Sequence, residues 1–192
     1  MRPIGHVDAD DDHLVENLTS WRNANGQFFL TRFEATTSRT SSWLRNQVLA
    51  DDTRAFCLIC SDDGTAIGHL GVRGLGGNAP ELDNMIRGRD GGDPQLMYFA
   101  EIAMIRWLFR QPGVEKVTLG VFSNNWIPIS LHQSIGFKSR EWLPLYRHER
   151  ADEIHFSTDP NATAEKQKFK YLIMELARVD FEDFCTRTFP RA

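Results

Sequence analysis

The chain has 192 residues, 41% hydrophobic and 25% charged, an ordinary globular composition with length enough for one core that needs no staples. With 22 Lys and Arg against 26 Asp and Glu, the net charge is −4, and no long basic run offers the footprint of a nucleic-acid binder. No stretch approaches the ~18 apolar residues of a membrane helix, the start MRPIGHVDADDD lacks the apolar core of a signal peptide, and three cysteines are an odd number for a disulfide framework. The expectation is a single domain over 1–192 in a reducing, cytoplasmic setting, where the sequons at Asn17 and Asn161 carry no weight.

Asp10–Asp12 supply caps and first-turn acids for a helix over about 11–23, closed by Asn25-Gly26. RTSSWLRNQVLA reads as a second short helix capped by Ser41 or Ser42, with Trp43, Leu44 and Val48 on its apolar side. TRAFCLICS and TAIGHLGVRG flank the turn SDDG, a hairpin pattern. PELDNMIRG is a further strand that runs into RDGGDP. In QLMYFAEIAMIRWLFR two rows recur at helical spacing: Leu96, Ala100, Ala103, Trp107, and Met97, Met104, Leu108. Gln111-Pro112-Gly113 stops that helix. VEKVTLGVFS is a strand with Val117, Leu119 and Val121 on one side, and SNNWIPISLHQSIGF holds a short helix with Pro128 in its first turn. SREWLPLYRHE and KFKYLIMELARVDF read as two last strands, joined by a loop or lengthened hairpin over about 150–167. The order describes an α/β chain with a mixed sheet.

A strand ending in closely spaced glycines before a helix is a phosphate cradle, because glycine lets the backbone approach an anion and the helix-start N–H groups point at it. Gly88, Arg89, Asp90, Gly91, Gly92 and Asp93 are the candidates, with Arg87 or Arg89 adding a charge-assisted contact. A plain surface turn is the alternative. GxxxxGK[ST] is absent and GRDGG is not GxGxxG, so nucleoside triphosphates and dinucleotides lose support.

NNWIPISLHQSIGF is more specific, and resembles the second half of the GNAT acetyltransferase superfamily. Asn125 falls on the family's asparagine, Ile129 and Leu131 on its apolar helix positions, and Gly136-Phe137 on its terminal pair. Trp21-Arg22-Asn23 is similar to the ribosomal-protein alanine acetyltransferase branch, as is SDDGTAIGHLGV, while the stretch from Leu82 to Phe109 resembles members that acylate amino sugars, often as nucleotide sugars. The resemblance spans about residues 8–147. It implies a central mixed, splayed sheet with helices on both faces, acetyl-CoA as donor, and direct attack by an amine with no acyl-enzyme. The glycine turn becomes the pyrophosphate loop, with Pro94 standing where the family has Gly or Ala.

The resemblance also implies a backbone N–H near Met85 or Ile86 for the developing oxyanion and Asn125 for the pantetheine arm. His132 stands where many members have a tyrosine acid; its alternative is a half-exposed helix residue. Candidate bases are Glu81 and Asp83, on one face of their strand by alternation, and His69, which an apolar run also suits as a core residue. The implied acceptor is a small-molecule primary amine, with a nucleotide-linked amino sugar favoured. The alternatives are a protein N-terminus or a coenzyme A-binding module without catalysis. No metal is expected: Cys57 and Cys60 fall on opposite faces of a strand, without a second ligand pair. A homodimer through the last strands and Trp142 is the assembly considered.

Overall fold

The computed structural model describes residues 1–159 and 165–190; the sequon at Asn161 and part of the expected 150–167 loop lie outside the described residues. In chain order the elements are β1 (Arg2–Pro3), α1 (Asp12–Ala24), β2 (Thr31–Phe33), α2 (Thr37–Trp43, continued as a wider turn through Val48), β3 (Ala55–Cys60), β4 (Ala66–Arg73) and β5 (Glu81–Arg87). Then come α3 (Leu96–Leu108), β6 (Lys116–Phe122), α4 (Trp126–Ile135), β7 (Lys138–Arg150), β8 (Glu153–Ser157), β9 (Glu165–Ala177) and α5 (Arg178–Thr188). Among the described residues nine strands form one sheet, ordered β1-β3-β4-β5-β6-β9-β7-β8-β2. Every pair is antiparallel except β5 and β6.

Local chemistry sets the helix ends. Asp11 Oδ1 accepts from the Leu14 N–H at 3.2 Å and caps α1. The cap of α2 is Thr36, not Ser41 or Ser42: its hydroxyl accepts from the Arg39 N–H, and the helix opens five residues before the first expected cap. Gly136 ends α4 at φ 114°, a left-handed conformation that glycine adopts without the Cβ penalty. The last strand stops at Ala177, and Arg178–Thr188 is a helix instead of more strand. Its buried Phe181 and Phe184 lie three apart, a helical spacing hidden by the alternation immediately upstream. The short strands β1 and β2 carry no signal of their own and exist because the edges of β3 and β8 pair them.

Two cores sandwich the sheet. On one face Leu70, Val72, Leu82, Val117, Leu119, Val121, Met174 and Leu176 pack with α3, α4 and α5. On the other, Phe56, Leu58 and Ile86 pack beneath Leu14, Val15, Leu18 and Trp21 of α1 and Leu44 of the α2 extension. Beyond β6 that second face carries a separate cluster of Phe122, Leu145 and Phe156, with Leu30 folded onto it. Each fully buried Leu or Ile contributes roughly 1.5–3 kcal/mol. The helix α3 buries Glu101, Met104, Ile105 and Leu108, while Ala103 and Trp107 of the other expected row turn outward.

Candidate active site between β5 and β6

The two parallel central strands meet only at Glu81–Thr118 and Leu82–Leu119. Beyond Leu82 the β5 edge facing β6 has no strand partner among the described residues, so the sheet opens into a cleft. A bulge aims the backbone into it. His69 pairs with Ile86 and Gly71 with Asp83, which leaves Asn84 and Met85 together opposite Leu70. Asn84 sits at φ 48°, in the left-handed region that asparagine tolerates better than most residues. The bulge shifts the alternation, so Leu82 and Met85 both meet the α3-side core while Ile86 joins the α1-side core. Gly88 N–H bonds to Ile67 O on β4. By alternation Ile86 N–H also faces β4, and the N–H groups of Arg87 and Met85 face the cleft.

The glycine turn follows at the cleft's mouth. Gly91 and Gly92 have φ of 116° and 65°. The N–H groups of Gly91, Gly92, Met97 and Tyr98 make no hydrogen bond among the described residues, so free donors converge where α3 begins. Asp93 terminates the turn: its carboxylate accepts from Gln95 N–H at 2.7 Å and its carbonyl from Leu96 N–H. Pro94 lies just before α3 and removes a donor the helix start does not need. Arg87 is spent on the turn itself, donating to Gly91 O at 2.7 Å, and Arg89 reaches Asn17 on α1 at 3.2 Å. Asp90 is exposed. A Cβ on Gly88 would overlap the Trp21 indole, which fixes α1 against the start of the turn.

On the α3 side of the cleft, Asn125 precedes α4, and its side chain makes no cap hydrogen bond to the helix. His132, 8% exposed in its side chain, receives a partner the sequence reading missed: Nδ1 lies 2.7 Å from Glu101 Oε1, and Glu101 is fully buried. Glu101 Oε2 is buried without a partner, whereas His132 Nε2 has none among the described residues yet is not sealed off. Glu101 falls on the Met97–Met104–Leu108 row of α3, so the signal was an acid at a core position.

On the opposite face stand the three candidate bases. Glu81 is held by Arg73 at 2.7 Å. Asp83, immediately before the bulge, accepts from Asn84 Nδ2 at 2.8 Å, and burial raises its pKa. His69 is walled between Trp21 and Phe56 and hydrogen-bonded to Asn84 O; burial holds its pKa down at about 4, so it is neutral at physiological pH. Tyr171, unmarked in the sequence, lays its hydroxyl over Gly120 on β6, and burial next to Glu81 pushes its pKa up to about 12. The splay thus opens beside Met85, Asn125 and the turn, while the Asp83 carboxylate lies over Gly71 on β4 beside Phe56 and His69 lies behind the bulge. A separate groove of ≈ 330 Å³ lies away from the splay, between α1 and the β3–β4 hairpin, lined by Asn17, Cys60, Gly64 and Arg89.

The profile of the acetyltransferase (GNAT) domain matches residues 1–138. The chain belongs to the GNAT acetyltransferase family. It is an N-acetyltransferase with acetyl-CoA as its acetyl donor. Its fold is that of the solved spermidine N-acetyltransferase from Vibrio cholerae in complex with CoA and spermine, at 12% identity and a TM-score of 0.69 over 94% of this chain and 96% of that one. An aminoglycoside acetyltransferase in complex with coenzyme A aligns at 18% identity and 0.68 over 97% and 98%. Ribosomal-protein-alanine N-acetyltransferase from Brucella melitensis aligns at 14% and 0.62 over 92% and 98%. No curated protein matches the chain. Cys57 and Cys60 face different cores, and no group of three or more His, Cys, Asp or Glu able to hold a metal ion occurs among the described residues. None of the described helices is long and apolar enough to cross a membrane.

Proposed function

We propose that this enzyme acetylates the primary amine of a small molecule, with nucleotide-linked amino sugars the favoured class, by direct attack in a ternary complex. The observation that supports it is the unpaired edge of β5 beyond Leu82, open to β6 and adjoining a turn whose N–H groups are free. These residues fit acetyl-CoA. The turn at 88–93 and the start of α3 would hold the pyrophosphate, and Asn125 the pantetheine arm or the backbone beside it. Acetyl-CoA supplies the activated thioester carbonyl.

The chain's own groups then have distinct tasks. Met85 N–H donates to the carbonyl oxygen as negative charge develops on it. Asp83, whose raised pKa makes it a better proton acceptor than an exposed carboxylate, takes the amine proton directly or through water. The C–N bond forms, the C–S bond breaks, and a proton from His132 Nε2 meets the departing sulfur. Glu81 is committed to Arg73, and His69 acts by holding the bulge. The catalytic unit is taken as one domain over 1–192, working in the cytoplasm. The half-exposed Trp142 on β7 is the surface for a homodimer.

Thiol release from acetyl-CoA across amino sugars, polyamines and N-terminal peptides tests this. Release with nucleotide-linked amino sugars is expected. Release with peptides alone would move the acceptor to a protein N-terminus, and coenzyme binding without release with any amine would leave a binding module.

A further inference from the structure

Glu101 is an acid set into an apolar core. It lies in the second turn of α3, on the helix that also carries Met104, Ile105 and Leu108 into the larger core, and its side chain is fully buried. Its Oε1 is 2.7 Å from Nδ1 of His132, in the second turn of α4, while Oε2 is buried with no partner. The Phe137 ring stands edge to face against the imidazole, 5.7 Å between centroids. Among the described residues no other charged group is in ion-pair range of either side chain.

Such a pair contributes little to stability. Apolar side chains of similar volume would hold α3 against α4 as well or better, and an orphaned buried oxygen adds a desolvation cost. An orphan of this kind calls for a reason, and a catalytic role is one. The topology gives that role a place. α3 follows β5 and α4 follows β6, the two strands are parallel, and both helices pack on one face of the sheet. Their first turns therefore leave the same end of the splay, side by side. His132 Nε2 has no hydrogen bond among the described residues and is not sealed from solvent.

We propose that Glu101 is a positioning residue for the leaving-group acid: it locks the His132 ring with Nε2 turned to the sulfur, and its charge balances the imidazolium that donates. This rests on the splay being the catalytic cleft and on His132 being the proton donor. A carboxylate only accepts, so Nδ1 donates to it and the transferable proton is confined to Nε2. As the C–S bond breaks, its electron pair stays on sulfur and the Nε2 proton moves there. His132 is left neutral with Nδ1–H still on Glu101, and the proton released by the amine returns to Nε2 through water. An amide at position 101 would keep an acceptor for Nδ1–H and leave a buried imidazolium uncompensated.

The test varies the leaving group. Coenzyme A with selenium in place of its sulfur gives an acetyl donor of the same shape, whose selenolate departs without a proton. With acetyl-CoA and the panel amine that releases most thiol, Glu101→Gln should lower kcat at least about tenfold, with the KM for acetyl-CoA within about twofold. With the selenium donor the loss should shrink to about twofold, in Glu101→Gln and His132→Phe alike. Glu101→Asp, which keeps the carboxylate and draws it back from Nδ1, should lose less than the glutamine variant with acetyl-CoA, and carries the test if that variant does not fold. Undiminished turnover in Glu101→Gln beside a slow His132→Phe would overturn the proposal and leave His132 as the acid. An equal loss with both donors would also overturn it, reducing Glu101 to a structural role. An unimpaired His132→Phe, or no thiol release with any amine, would instead overturn the reading on which the proposal rests, and the proposal with it.

Discussion

His69 Nδ1 lies 2.6 Å from the carbonyl oxygen of Asn84, across the one irregular step in the β4–β5 ladder. A carbonyl only accepts, so Nδ1 carries the proton, and the neutral ring pins the residue whose left-handed backbone aims Met85 N–H at the cleft.

That pairing makes stability pH-dependent. Burial lowers the folded-state pKa of His69 to about 4, beneath the unfolded value of about 6.5. The unfolded chain therefore takes up a proton the folded one refuses, and this contribution is complete above pH 6.5 and declines as pH falls towards 4. Urea unfolding should show a loss of ~3 kcal/mol across that window. In His69→Gln the slope should be visibly flatter, and an unchanged slope would assign the loss to the carboxylates instead.

Position 84 itself should discriminate sharply among substitutions. Asn84→Gly should fold with little loss, whereas Asn84→Val, β-branched at φ 48°, should lose about 1–2 kcal/mol. Because Met85 N–H moves with the bulge, kcat in Asn84→Val should fall more than the acetyl-CoA affinity, as read by initial rates beside calorimetric binding.

The Glu101–His132 pair predicts a separation of stability from turnover. Glu101→Ala leaves His132 unsupported in a buried site and should cost ~3 kcal/mol. His132→Phe should lower kcat by about 10²-fold with the KM for acetyl-CoA little changed. The double variant Glu101→Met, His132→Phe, apolar on both sides, should regain much of the stability and none of the activity. Recovery of turnover in the double variant would remove His132 from proton transfer.

Gly91 should show the converse. At φ 116° a branched side chain is strained and stands beside the free donors of the turn. Gly91→Val is expected to raise the KM for acetyl-CoA by an order of magnitude while kcat at saturation stays within about twofold.

The mixed sheet, the β3–β4 hairpin, the α3 and α4 spans and the splay were legible because alternation, helical rows and the Asn125 to Phe137 pattern are local in sequence. Contacts between elements distant in sequence were not. Thr36 became a cap because the chain enters α2 well before its apolar side begins at Trp43. Residues 178–188 turned helical because Phe181 and Phe184 dock on the α3-side core. Glu101 was readable only as an odd acid in an apolar row, since its partner lies 31 residues away. Tyr171 carries no local mark, and it matters only once β9 inserts beside β6.

The most direct test of the account is a crystal structure with acetyl-CoA bound. It should place the thioester carbonyl within hydrogen-bonding distance of Met85 N–H, between β5 and β6, with the pyrophosphate over the N–H groups of the turn at 88–93. A coenzyme seated in the groove between α1 and the β3–β4 hairpin, with the splay closed, would contradict it.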